Sequence, residues 1–359
     1  MHKSVMALAV AGALAAPAAM AQVQIGGGIH LQYFQHDPDN DLASSTHDNL
    51  RTSEPEIYIR GEEKLGGGLS VWFQCTSSFD VLGPVSGSWC GRNSAIGFRG
   101  GFGNVFAGNW DTPHKLVTNL ARGWWGGTNT LQGGTATILY NDSQTGANTG
   151  SSFFRRHSKS INYHSPDWSG FNLNAAFSSQ NEATDIPDAD PAKPRMMSVA
   201  GQFRTGPFFA GLGYEKHTDF GGAGVETDDN SMNVAVGFTF AGAIRVSALF
   251  ATVEYDTAGV KTEHDGFAVY LDWTLGGPHK LYVQYGQRGE TEVGGAEIAD
   301  SAVDVLGVAY GYSFSKRTQG YIAYNSMSND PAAVFDMGTA DAAPGSKQKA
   351  IGLGLRHSF

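Results

Sequence analysis

Long apolar runs are almost absent from this sequence. A helix needs ~20 consecutive apolar residues to cross a bilayer, and the one candidate is residues 5–21. Mean hydropathy over the chain is -0.23, which argues against a helical membrane protein. Cysteine is scarce, at 2 in 359 residues. No C-x-x-C-H haem motif occurs, and the histidines fall without metal-ligand spacing, so neither a cofactor nor a resident metal is expected. No nucleophile motif singles out a serine, histidine or aspartate, which sets aside a hydrolytic enzyme. Lys+Arg number 24 against Asp+Glu 34, with no basic stripe, so nucleic acid is not an expected partner.

The apolar stretch follows His2 and Lys3 and ends Ala19-Met20-Ala21. A short run with a basic front and an A-x-A end reads as a secretory signal peptide, 1–21, cleaved to leave one domain, 22–359. The alternative is an uncleaved anchor helix. Export leaves two destinations: a soluble extracytoplasmic protein or an outer-membrane barrel.

Strand faces decide between them. In the first strand Val23, Ile25, Ile29, Leu31 and Tyr33 share one face, and Gln24, Gly26, Gly28, His30 and Gln32 the other. That is a period of 2. A polar loop is expected at 36–52, with Asp37, Asp39, Asp41 and Asp48. In the next strand Ile57 and Ile59 alternate with Glu56, Tyr58, Arg60 and Glu62. The rhythm continues to the last strand, where Ile351, Leu353, Leu355, His357 and Phe359 share a face. About sixteen strands result, joined alternately by very short and by long connections. This asymmetry marks an all-β transmembrane antiparallel barrel with short periplasmic turns and long external loops. An even count puts both ends on one side, so the first and last strands can pair and leave no edge in lipid. At this size the lumen is an aqueous channel. The competing soluble sandwich would use shorter strands, about five to six residues.

One stretch breaks the rhythm. Residues 111–154 are rich in Gly, Thr and Asn and show no sustained apolar period. A loop that long in a compact domain is functional as a rule, and the expectation is that it folds into the lumen and narrows it.

Several motifs then converge on a known family. Residues 60–69 (RGEEKLGGGL), 92–103 (RNSAIGFRGGFG) with Asn104-Val105-Phe106-Ala107-Gly108 and Thr112-Pro113, 155–171 (RRHSKSINYHSPDWSGF), Ser315-Lys316-Arg317-Thr318 and the ending 354–359 (GLRHSF) follow one another in order. Together they resemble the general porins of beta-proteobacterial outer membranes, the neisserial type among them, over essentially the whole mature chain. The resemblance implies a sixteen-stranded barrel, a homotrimer in outer-membrane lipid and lipopolysaccharide, a third external loop inside the lumen, and passive diffusion of small hydrophilic solutes and ions. It also implies arginines on the wall facing that loop. Arg92 and Arg155 stand at matching positions. Glu56 stands where the family commonly has arginine, and Gly108-Asn109 where it has Gly-Arg, so the cluster is thinned and an anion preference is left open.

Strand parity puts Glu56, Arg60 and Glu62 in the lumen, and Arg156 too if Ile161 and Tyr163 face lipid. The same parity places Arg92 with Ile96 and Phe98 on the lipid face unless a bulge or a position at the strand top intervenes. Charges in the loop are sparse: Asp111, Lys115, Arg122 and Asp142, with Arg155, Arg156 and Lys159 just beyond. The external loops are acidic. They could draw cations to the mouth or bind a divalent ion against lipopolysaccharide; the plainer reading is that they are solvated. Trp124 and Trp125 could stack on a sugar or aromatic solute, making the channel substrate-selective, or could pack the loop on the wall. A plugged structural barrel is the third alternative. Cys75 and Cys90, an even pair in an exported chain, read as a disulfide, worth ~3 kcal/mol for a loop of that size. In family trimers the loop they bracket contacts a neighbour, so the bridge is expected to stiffen a trimer latch.

Overall fold

The computed structural model describes residues 23–38, 46–83, 88–122, 134–140, 152–179, 194–220, 227–337 and 343–359. Every described strand joins one antiparallel sheet closed on itself, β1 (Gln24–Asp37) pairing with both β3 (Glu56–Gly66) and β19 (Lys347–Ser358). Nineteen strand segments make sixteen staves. β2 (His47–Thr52) and β3 are two parts of one stave, both paired to β1. β15 (Thr291–Val293) continues β14 (His279–Arg288) along β13 (Val260–Gly276), and β16 (Ala296–Ile298) leads into β17 (Val303–Ser313). The remaining staves are β4 (Leu69–Ser78), β5 (Ser94–Gly100), β6 (Gly103–Asp111), β7 (Arg156–His164), β8 (Phe171–Ser178), β9 (Arg195–Thr205), β10 (Phe208–Thr218), β11 (Asp228–Phe240), β12 (Ile244–Thr257) and β18 (Thr318–Asn329).

The expected polar loop at 36–52 is shorter than its composition implied. Residues 47–52 are strand, in register from Leu31↔Thr52 to His36↔His47. Hydrophobic alternation is weak there because the segment lies at the long-loop end of the barrel, where its outward side chains need not be apolar.

Period 2 sorts the side chains as lipid requires. Ile25, Phe73, Ile96, Phe98, Ile161 and Leu353 are exposed on the outside, while Gln32, His36, Ser160, Asn162, Gln284 and Asn325 are buried inside. At the short-turn end Phe102, Trp168, Phe171, Phe240 and Phe314 remain exposed, a girdle for the membrane interface. The seam is tight. Gly27 and Phe359 exchange backbone hydrogen bonds of 3.1 and 3.2 Å, and a Cβ at Gly27 would come within 2.9 Å of the Phe359 ring.

The largest apolar cluster lies within the barrel, where the long loop meets the wall. Val117, Leu120, Ala121, Ile138, Leu139 and Phe153 pack there on Ala200, Phe209, Ala235, Leu249 and Val305. Two short helices occupy the stretch that showed no sustained period: α1 (Pro113–Arg122) and α2 (Thr135–Tyr140). Asp111 is the last residue of β6, so the loop proper starts at Thr112.

Candidate functional site: the lumen and its two walls

The loop enters the lumen through a helix start written in its sequence. Thr112 caps α1: its carbonyl accepts from Leu116 N at 3.0 Å and its Oγ1 from Lys115 N at 3.4 Å. Pro113 occupies the first helical position, where a missing N–H costs nothing. Val117, Leu120 and Ala121 turn toward the wall made by β9 to β12. β10 admits the helix because it offers glycines. A Cβ at Gly211 would lie 2.9 Å from Leu120 Cδ2, and one at Gly213 would lie 3.1 Å from His114 Cα.

Polar bonds fix the helix on that wall. Asn233 Nδ2 donates to the His114 carbonyl (3.0 Å), Thr118 Oγ1 (3.0 Å) and the Tyr140 hydroxyl (3.2 Å). His114 Nδ1–H donates to the Phe153 carbonyl at 3.2 Å, and its Nε2 meets Ser231 Oγ at 3.0 Å. Burial holds the His114 ring well below the ordinary imidazole range, at about 4, with Glu215 opposing the shift. At the other end of α1, Arg245 donates to the Leu120 and Ala121 carbonyls at 2.5 and 2.9 Å, and Ser247 Oγ to the Ala121 carbonyl at 2.6 Å. These are the orphan carbonyls of a helix end, met by a cation where the helix dipole favours one. Arg245 also pairs with Asp272 at 3.2 Å. Helix α2 is tied down by Tyr255 OH to the Tyr140 carbonyl (2.8 Å) and by His264 Nε2 to the Leu139 carbonyl (3.1 Å).

The opposite wall, β1 to β6, carries charges that pair with one another along that wall. Arg92 Nε lies 3.1 Å from Glu56 Oε2. Arg99 Nη1 lies 3.5 Å from Glu62 Oε2, whose partner oxygen accepts from Ser70 Oγ at 2.6 Å. Arg60 Nε donates to Gln24 Oε1 at 3.0 Å. A cavity of about 710 Å³ opens here, lined by Arg60, Glu62, Trp72, Arg99, Trp110 and His164 among others. Trp72, Phe106 and Trp110 back it edge-on, with centroids 5.1–5.8 Å apart.

The expected site residues separate into groups. Asp111, Lys115 and Arg156 come together at the root of the loop: Asp111 Oδ1 is 2.8 Å from Lys115 Nζ and 3.4 Å from Arg156 Nε, and Asn93 bonds both Asp111 and Arg156. Burial lowers the Lys115 ammonium from its usual range, and Asp111 opposes that. Arg122 and Lys115 both lie over the Phe154 ring, at 5.0 and 4.7 Å. Arg155 sits apart, over Phe220 at 5.4 Å. The structure bears on two parity readings. Arg92 precedes β5, which begins at Ser94, so the outward parity of Ile96 does not reach it, and its guanidinium meets Glu56. The β6–β7 register shifts between Gly108 and Trp110, leaving Arg156 opposite Asp111; the alternation counted back from Ile161 therefore fails before Arg156. Asp142, Trp124, Trp125 and the segment 1–21 lie outside the described residues, as do parts of the acidic loops. Among the described residues no group of three or more His, Cys, Asp or Glu is placed to hold a metal ion.

Arg99, Arg245 and Asp272 were missed. Arg99 was legible, since Ile96 and Phe98 outward put residue 99 inward. The role of Arg245 was not, because nothing local to β12 signals a helix end 125 positions away.

Comparison with known proteins follows the same outline. A family model described as Gram-negative porin matches residues 7–332. The chain is 25% identical to the major outer membrane protein P.IB of Neisseria lactamica over the full length of both. It is 25% identical to an outer membrane porin protein of Bordetella pertussis, covering 84% of this chain and 81% of that one. Among solved structures, the anion-selective porin from Comamonas acidovorans superposes with a TM-score of 0.78 at 21% identity, covering 94% of this chain and 100% of the other.

Proposed function

The chain belongs to the Gram-negative porin family of outer-membrane channel proteins, and on that premise we propose that its lumen, bounded by the loop-covered wall and the β1–β6 wall, passes small hydrophilic solutes and ions by passive diffusion with a weak anion preference. The observation that carries this reading is the balance of the open wall. Arg60, Arg92 and Arg99 face the lumen, with Glu56 and Glu62 beside them to offset part of their charge. A diffusion pore needs a water-filled gap and a field across it, not a reacting group. In water one unit charge at ~10 Å is worth about 0.4 kcal/mol, about a twofold bias in local ion concentration. A net excess of one arginine therefore tilts selectivity without closing the channel to cations. Asp111, Lys115 and Arg156 serve the loop root instead of the solute path, because they are bonded mainly to one another.

A channel reading is favoured over an enzyme by the geometry of the buried Ser231–His114 contact at the loop. Ser231 and His114 are both 0% exposed, and the other ring nitrogen bonds a backbone carbonyl in place of a carboxylate, so no substrate reaches the pair and no acid orients it. Assembly as a homotrimer belongs to the same proposal; its support is the solved trimer form of OmpT of Vibrio cholerae, with a TM-score of 0.68 to this chain at 14% identity.

The test is the reversal potential of purified, unboiled protein in a planar bilayer under a salt gradient. Stepwise conductance with a small anion-favouring potential is expected. Absence of steps would overturn the diffusion reading, and a cation-favouring potential would overturn the assignment of the field to the open wall.

A further inference from the structure

The Cys75–Cys90 bridge closes immediately before the segment that presents Arg92. The regular β4–β5 ladder runs from Ser70↔Arg99 to Gln74↔Ala95 and stops. Continued in the same register, it would set Arg92 opposite Ser77, on the outward face with Ile96 and Phe98. The backbone does otherwise. Arg92 N donates to the Thr76 carbonyl at 2.9 Å, a slip of one residue, and a slip of one residue turns a side chain to the other face. Side chains fill the interrupted ladder: Thr76 N donates to Ser94 Oγ at 2.8 Å and Cys90 N to Ser77 Oγ at 2.8 Å. Asn109 Nδ2 bonds the Gly91 and Arg92 carbonyls at 3.0 and 3.2 Å. Cys90 itself sits at a φ of 58°, a left-handed conformation that a residue with a side chain keeps only when its surroundings hold it.

We infer that the disulfide is a positioning device for Arg92: it holds the slipped register of 90–94 and thereby keeps that guanidinium in the lumen against Glu56. The bridge thus acts on the charge of the channel wall, in addition to any part it plays between subunits. The inference rests on the reading of the lumen as the conducting path. Opening the bridge is thiol–disulfide exchange with a dithiol reductant. The S–S bond breaks, both cysteines leave as thiols with the two protons and two electrons supplied, and the reductant closes to its own disulfide. The segment 90–94 can then rejoin the regular ladder, which carries Arg92 out of the lumen.

The experiment compares reversal potentials of full-length protein in four forms: oxidised wild type, wild type treated with dithiothreitol, Cys75→Ser/Cys90→Ser, and Arg92→Gln. Arg92→Gln is expected to lower the anion-to-cation permeability ratio about twofold, with Arg92→Lys retaining most of it. Reduction and the double serine variant are expected to lower the ratio by the same factor, with single-channel steps preserved. In the Arg92→Gln background, reduction is expected to change nothing further. Should the serine variant fail to fold, reduction of the folded wild type supplies the same readout. A ratio unmoved by reduction while Arg92→Gln shifts it would overturn the inference, even if the thermal midpoint of the assembly fell. An equal shift on reduction in the Arg92→Gln background would overturn it as well. If Arg92→Gln itself leaves the ratio unchanged, the lumen-charge reading fails and the inference with it.

Discussion

The two walls of the lumen are built from the same alternating strands and treat their inward side chains in opposite ways. Between β9 and β14 many inward positions are small, apolar or amide, and the charged ones are buried against fixed partners: Glu215 meets His217, Arg288 donates to Thr291, and the guanidinium of Arg245 is spent on backbone carbonyls of α1. Between β1 and β6 the inward positions hold Glu56, Arg60, Glu62 and Arg99, with Arg92 just before β5, and these groups pair directly with one another or with Gln24 along the wall, uncovered by the loop helices. An inward-facing polar residue is thus structural or functional according to what stands opposite it. A loop makes it a fastener, and solvent leaves it part of the field.

The comparison breaks most sharply at Asn233. Replacing it with leucine keeps the volume but leaves Thr118, Tyr140 and the His114 carbonyl without their shared donor. The docked loop is expected to lose about 4 kcal/mol, read as protease cleavage within 112–154 of the folded barrel and as noisy, enlarged conductance. Unchanged quiet steps would show that this wall does not hold the loop.

Acid is expected to act almost as strongly. His114 binds its proton at about 4 when docked, against 6.5 ordinarily. Between those values the undocked loop holds more protons, so docking weakens as pH falls from 6.5 toward 4, by about 3 kcal/mol when complete. Conductance noise that rises across this window in the wild type, and less in His114→Gln, is the expected record. Equal acid sensitivity in both would move the cause to neighbours such as Glu215 and His217.

Arg245→Met uncaps the end of α1 and strands Asp272. About 2 kcal/mol of loop docking should go, with a smaller rise in protease cleavage than Asn233→Leu produces. A change in ion selectivity without a change in cleavage would assign Arg245 to the open wall's kind instead. The smallest effect belongs to that wall: Glu56→Gln is expected to raise the anion-to-cation ratio about twofold and to leave cleavage untouched.

The barrel was legible because lipid imposes a period of 2 on every stave, and Ile57, Ile59, Leu353 and Leu355 announce their faces plainly. What failed to show was whatever local chemistry could not specify. Residues 47–52 pair as strand beyond the region where their outward positions must be apolar. Helix α1 sits in a stretch without sustained periodicity, though Thr112-Pro113 was a start signal in plain view. Arg92 and Arg156 lie where register slips, and alternation carries no information across a slip. The partners of Arg245 are remote in sequence, and only the docked loop brings them to it.

The seam has a consequence for how the barrel comes to exist. Gly28 and Ser358 are partners at opposite ends of the chain, whereas hairpin partners such as Phe208 and Thr205 are neighbours. Contacts so remote carry the greatest loop-closure delay. The hairpins can form early and locally, and the meeting of β1 with β19 is the event that the whole chain must wait for. Residues 26–28 are all glycine, so the waiting strand presents a bare stretch of backbone to two partners, Ile57 on one side and Phe359 on the other. A valine at Gly27 would drive its Cβ into the Glu56 carbonyl oxygen, so hairpins would assemble at the normal rate while the closing step stalled and the closed seam itself lost stability.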